Sequence, residues 1–279
     1  VKDIIASKAR VSINSCKDYN IPNFVNKNTL VIANSYSGNT EETISALEKC
    51  KAKGAEIAII TSGGKLKEIA EKNNYNKIII PSGGPPRAMF GYAFIELFYV
   101  LSHYNLIDNS FISDFEKTIN LLKMEKPNIQ TQAMSLAKNI YKKTPVVYVS
   151  AGFEGVAIRF RQQLNENSKT LCWHHVIPEM NHNELLGWRT NVNDLAVIYF
   201  RNKSDYYRNQ IRIDINKKVI SKYTKNIVEI WSKGNSLIEN TLYHINLGDW
   251  TSWYLSEMNK VDAIEIDVIN FLKKELSKR

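Results

Sequence analysis

Residues 29–43 read TLVIANSYSGNTEET, and they decide the fold. Thr29 to Asn34 form a short, largely apolar run of strand length. From Glu41 onward, EETISALEKCKAKG carries the three- and four-residue spacing of an amphipathic helix. Ser35, Ser37, Gly38, Asn39 and Thr40 fill the handover between them. A strand that passes into a helix through small polar residues is the building block of a parallel sheet.

The same rhythm continues outward. AEIAIITS (55–62) and NKIIIPS (76–82) are further buried strands, with KLKEIAEKN (65–73) as the helix between them. PPRAMFGYAFIELFYVLSHYNL (85–106) then predicts a long, largely buried helix that opens on its prolines. A polar stretch with Lys126-Pro127-Asn128 follows, and the pattern restarts. PVVYVSAG (145–152), TLCWHHV (170–176), DLAVIYF (194–200) and KNIVEIWS (225–232) are strands; EGVAIRFRQQLNENSK (154–169) and most of residues 237–278 are helical. The expectation is an α/β chain of two tandem three-layer αβα domains with parallel sheets, divided as 1–125 and 126–279.

Composition narrows the functional classes. The 279 residues are 44% hydrophobic, enough for two cores, and no apolar run reaches the length of a membrane span. VKDIIASKAR at the start has no signal-peptide apolar region. Cys16, Cys50 and Cys172 are scattered, with neither metal spacing nor a disulfide framework, which suits a reducing cytoplasm. The net charge of +9 attracts anions. The lysines are dispersed along solvated helix faces and form no basic stripe with interleaved aromatics, so small phosphorylated substrates fit better than nucleic acid.

Ligands of parallel sheets sit beyond the carboxyl ends of the strands, where SYSGNT lies. The helix starting near Thr40 or Glu41 offers unpartnered N–H groups and the positive end of its dipole. Ser35, Ser37 and Thr40 add hydroxyls, and Gly38 lets the backbone approach, so a phosphate monoester is the expected occupant. The competing reading is an ordinary helix cap by Asn39 or Thr40, which accounts for one hydroxyl but not three. TSGG (61–64) is a second lip, and SGGPPR (82–87) holds Arg87, an oxyanion donor, at a helix start. In the second half, Glu166 (in NENSK) and His182 (in PEMNHNE) are acid–base candidates. His174 and His175 point to opposite faces of a strand and are not read as a metal pair.

Taken together, SYSGNTEET, TSGGKL, PPRAMFGY, NENSK and PEMNHNE resemble the bifunctional phosphoglucose/phosphomannose isomerases, which are built from two sugar-isomerase domains. The resemblance runs from about Tyr19 to the final helix. It implies interconversion of glucose 6-phosphate and mannose 6-phosphate with fructose 6-phosphate through a cis-enediol, without metal or organic cofactor. By resemblance, Ser35, Ser37 and Thr40 match the phosphate loop and Glu166 the base that shuttles a proton between C1 and C2. Arg87 matches the arginine beside the intermediate. His182 matches a ring-opening histidine that, in relatives, arrives from the other subunit of a dimer. Lys260 is the nearest match to a carboxyl-terminal lysine, and Thr251 to a small residue that makes room for both epimers. A homodimer with shared sites is therefore expected, with no nucleic-acid or membrane partner. Relatives begin with a strand and a Gly-Gly-Ser turn, and nothing before Val11 matches them. The expectation is a first domain without its initial strand, a segment of about 30–50 residues being one βα unit. Two other readings remain: a non-catalytic sugar-phosphate sensor, which would need neither Glu166 nor His182, and an isomerase coupled to amino transfer, for which the chain has no spare glutamine-hydrolysing domain.

Overall fold

The apolar runs become parallel strands, the central ones of each sheet buried on both faces. The computed structural model describes residues 1–190 and 194–278. After a short helix α1 (Lys2–Ile5), the first unit alternates β1 (Leu30–Asn34), α2 (Glu41–Ala52), β2 (Glu56–Thr61), α3 (Gly64–Asn73), β3 (Asn76–Ile79) and α4 (Phe90–His103). The strands are parallel and ordered β1-β2-β3, with Ile32 opposite Ala58 and Ile60 opposite Ile78. The central strand is buried along nearly its whole length, as a parallel strand covered on both sides must be. Ile57 and Ile59 pack with Leu47, Leu66 and Ala70 of α2 and α3; Ala58 and Ile60 face the other way, onto Val100 of α4. The expected αβα layering is therefore present, with β1 and β3 as the edges of a three-stranded sheet.

The second unit runs α5 (Ser110–Ile140), β4 (Thr144–Ser150), α6 (Glu154–Ser168), β5 (Trp173–Ile177), α7 (Glu184–Gly187), β6 (Leu195–Arg201), α8 (Tyr207–Ile220), β7 (Ile227–Trp231), α9 (Leu237–Asn259) and α10 (Asp267–Leu276). Its parallel sheet is ordered β5-β4-β6-β7. Alternate residues of β4 and β6 serve two cores. Val147, Val149, Ile198 and Phe200 pack with Ile129, Phe160 and Leu247 of α5, α6 and α9. Val146, Tyr148, Val197 and Tyr199 pack with Met180, Trp188, Ile213 and Ile220.

Two expectations shift. The chain's contacts divide it into Val1–Asn109 and Ser110–Arg279, not at residue 125. Residue 125 falls inside α5, a helix that runs unbroken through Pro127. An interior proline costs a helix about 3 kcal/mol. Here Ile129, Ala133, Leu136, Ala137 and Ile140 bury a full face against the second core, and that packing outweighs the break. The second shift concerns α4, which begins at Phe90 rather than at its prolines. Pro85 and Pro86 instead form a turn in which the amides of Ala88 and Met89 donate to the carbonyls of Pro85 and Pro86.

Candidate active site

The loop after β1 is shaped by close backbone contact with the loop after β2. Gly38 has φ +68°, and a Cβ there would lie 1.9 Å from the carbonyl oxygen of Gly63. Gly64 faces back at φ +65°, where a Cβ would meet the Ser37 carbonyl at 2.3 Å. Only glycine permits both the approach and the left-handed backbone. Hydrogen bonds lock the two loops together. Ser62 donates its amide (2.9 Å) and its hydroxyl (2.7 Å) to the Tyr36 carbonyl, and the Leu66 amide donates to Gly38 at 3.0 Å. Tyr36 also reaches the third strand's loop, its phenol accepting from the Gly84 amide at 3.2 Å.

Within this frame the hydroxyls of Ser35 and Thr40 meet at 2.7 Å. Ser35 is buried at the end of β1, Thr40 is half-buried and Ser37 is exposed, its hydroxyl accepting from the Asn39 amide at 3.2 Å. Thr40 is the N-cap residue of α2 by backbone, yet its side chain accepts no bond from the helix. Asn39 does not cap α2 either; its side-chain oxygen accepts from the Lys65 amide at 2.9 Å, in the first turn of α3. The plain capping explanation therefore fails for both residues. The first N–H groups of α2 keep no side-chain cap, which is the arrangement that receives an anion. Arg87 lies half-buried in the turn that precedes α4 by three residues, so it is held by a proline-stiffened turn rather than by a helix start.

Glu166 occupies the last turn of α6, half-buried. What fixes it is a clasp between the end of α6 and α9. Asn167 donates to the Ser252 hydroxyl at 2.9 Å, Ser168 donates to the Ser252 carbonyl at 2.7 Å, and Asn259 donates to the Ser168 carbonyl at 2.9 Å. One and two turns earlier, Gln163 and Arg159 hold Asp249 of α9 at 2.9 and 2.6 Å. Burial raises the Asp249 carboxyl above the usual carboxylate range, against the pull of Arg159. The helices approach closely because Gly248, Ser252 and Ser256, four residues apart, are small and buried. That spacing was visible in the sequence and went unread. Lys169 completes the clasp, its ammonium donating to the carbonyls of Glu166, Asp262 and Glu265 at 2.7, 2.8 and 2.8 Å.

His182 ends a short 3-10 turn (Glu179–His182) after β5 and is exposed. Lys260 is the left-handed C-cap of α9 (φ +56°) and is also exposed. Thr251 is fully buried, and its hydroxyl donates to the Leu247 carbonyl at 2.8 Å within α9. His174 faces Glu154 at 3.5 Å, while the His175 ring accepts from the Val176 amide at 2.8 Å. Among the described residues no three His, Cys, Asp or Glu side chains gather as a metal site, and no helix is long and apolar enough to cross a membrane.

Two parallel αβα units, the first ending its β1 in a hydroxyl-lined loop with an uncapped helix behind it, define a sugar-isomerase (SIS) type of α/β protein. Family models agree, matching the SIS domain at residues 13–100 and the bacterial phospho-glucose isomerase C-terminal SIS domain at 129–276. The chain is 38% identical to a bifunctional phosphoglucose/phosphomannose isomerase of Caldicellulosiruptor bescii, over 98% of this chain and 84% of the relative. It is 33% identical to the enzyme of the same name from Aquifex aeolicus, over 94% and 80%. Among solved structures, the C-terminal domain of glucosamine-fructose-6-phosphate aminotransferase from Francisella tularensis superposes with a TM-score of 0.72 over 95% of this chain and 81% of that one; at 14% identity this likeness concerns fold alone. The chain belongs to the bifunctional phosphoglucose/phosphomannose isomerase family.

Proposed function

We propose that the chain interconverts glucose 6-phosphate and mannose 6-phosphate with fructose 6-phosphate, as an aldose–ketose isomerase. The observation that carries this reading is the Ser35–Thr40 hydroxyl pair, set before an α2 terminus that no side chain caps, in a chain so similar to named isomerases over most of its length. In this proposal the phosphate rests on Ser35, Ser37 and Thr40 and on the first amides of α2. Glu166 takes a proton from one of C1 and C2 and returns it to the other through a cis-enediol. A carboxylate suits the task because it can serve both carbons from one position. Arg87 stabilises the negative oxygen that develops in the intermediate. His182 assists ring opening, acting on the site of a partner subunit in a homodimer, and Lys260 is the carboxyl-terminal lysine. The epimers differ only at C2, so one enediol able to turn in its pocket serves both. No metal or organic cofactor takes part, and the enzyme works in the cytoplasm.

The test is a coupled assay with each aldose phosphate in turn. Conversion of both is expected, and conversion of neither by folded protein overturns the proposal. Glu166→Gln lowers turnover at least about 10²-fold while fructose 6-phosphate still binds, because the general base is gone and the phosphate loop intact. A sugar-phosphate sensor would show binding and no turnover to lose.

A further inference from the structure

Surface turns after a strand are ordinarily the mobile parts of a fold. The turn that carries His182 is tied down on both sides of that residue. Met180 is fully buried in the core formed with Tyr148 and Trp188. Asn181 donates to Asn216 of α8 at 2.7 Å. Asn183 accepts from the Glu184 amide at 2.5 Å and donates to Glu179 at 3.3 Å. Glu184 Oε1 accepts from the Tyr148 hydroxyl at 2.5 Å and from Trp173 Nε1 at 3.2 Å. The Tyr148 oxygen in turn accepts from Trp188 Nε1 at 3.0 Å. Only His182, between these anchors, is left exposed with no anchoring bond of its own among those described.

We propose that Glu184 is a positioning residue for His182, clamping the turn to Tyr148 in the middle of β4 and to Trp173 at the start of β5. This rests on the role given to His182 above. The anchors converge from three directions: the β4 core, the edge strand β5 and helix α8. An apolar residue at 184 would hold the turn by burial alone, but without direction. A carboxylate that accepts two donors of fixed geometry, one of them a side chain with no exposure, also sets the turn's rotation. The Tyr148 phenol is held above its ordinary pKa by burial and then by Glu184, so it remains a donor throughout the working range.

The experiment is a double-mutant cycle on the full chain, with turnover, KM and melting temperature read for each variant. Glu184→Leu, which removes the accepting oxygen at similar volume, is expected to lower kcat about 10- to 100-fold with KM within about twofold, the cost of misplacing a group by about an ångström. In a His182→Ala background the same change adds less than about twofold, because the residue it positions is gone. Trp173→Phe removes one of the two donors from a partly exposed site; it carries the same comparison, with a loss of about three- to tenfold, should Glu184→Leu melt below the assay temperature. Unchanged kcat in Glu184→Leu, or an equal loss with and without His182, overturns the inference and leaves the isomerase reading standing. Full turnover in His182→Ala alone removes the His182 assignment and this inference with it.

Discussion

Thr40 begins α2 by its backbone while its hydroxyl turns away to Ser35, and that divergence is what a binding loop needs from a helix terminus. The same loop depends on Gly38. Any side chain there meets the Gly63 carbonyl and must hold a left-handed backbone. Gly38→Ala is expected to cost on the order of 1–3 kcal/mol of local strain. It should raise KM for every hexose phosphate with a smaller change in kcat, which steady-state kinetics will read; an unchanged KM would separate the loop from substrate binding. His244 shows the opposite use of a polar side chain. It is buried, its Nε2 faces the Arg201 carbonyl (3.2 Å) and Asn202 Oδ1 (3.1 Å), and its Nδ1 has no partner. Both neighbours are acceptors, so Nε2 carries the proton and the ring is neutral. Burial pushes its pKa down to about 3. The unfolded chain therefore binds a proton that the folded chain refuses between the ordinary imidazole value and about 3. The stabilisation is complete above the ordinary value and lost as pH falls through that window. Melting temperature is expected to fall on acidification from neutrality, and His244→Gln to flatten that limb of the profile. Equal slopes in both proteins would assign the acid limb to other groups.

Among the elements, α5 and α9 decide most. Pro127 lies exposed inside α5 and takes away an amide that would bond the carbonyl of residue 123. Packing holds the helix together on the far side, so the proline has a cost but no structural task. Pro127→Ala is expected to stabilise the chain by on the order of 1–3 kcal/mol, offset in part by a freer unfolded chain. Chemical denaturation will read this as a higher midpoint at constant slope; a lower midpoint would mean that the proline shapes the helix. The other end of the argument is α9, whose capping box at Ser236 and Glu239 sets its start. Its stripe of small residues then receives α6, and the last turn of α6 carries Glu166. Glu166 is thus placed by a helix some eighty residues away in sequence.

For the whole molecule, the second unit contains both faces of its own core, from Ile129 to Leu255 on one side and from Val146 to Ile220 on the other. Residues 110–279 expressed alone are expected to melt in one cooperative transition, as domains with complete cores do. A broad, non-cooperative melt would show that the unit borrows stability from elsewhere. The alternation of strand and helix was legible outside α5, since apolar runs of five to seven residues between helical patterns have few other uses. So were the loop of Ser35 to Thr40, the resemblance carried by PEMNHNE, and the family itself. Three things were not. The residues around Pro127 read as a polar stretch beside the division at 125, while the packing that holds them in α5 lies along the far face of the helix. The burial of Thr251 and the turn of its hydroxyl onto Leu247 are seen only in the assembled core. The partner of Asn39, the Lys65 amide in the first turn of α3, also lies too far along the chain for local spacing to name it. The sequence by itself determined the elements, their parallel order of use and the chemistry on offer, because those follow from spacing and side-chain type over a few residues. Which side chains meet, which are sealed inward and which are aimed outward was decided by tertiary structure, because those contacts join residues far apart in the chain and no local pattern encodes them.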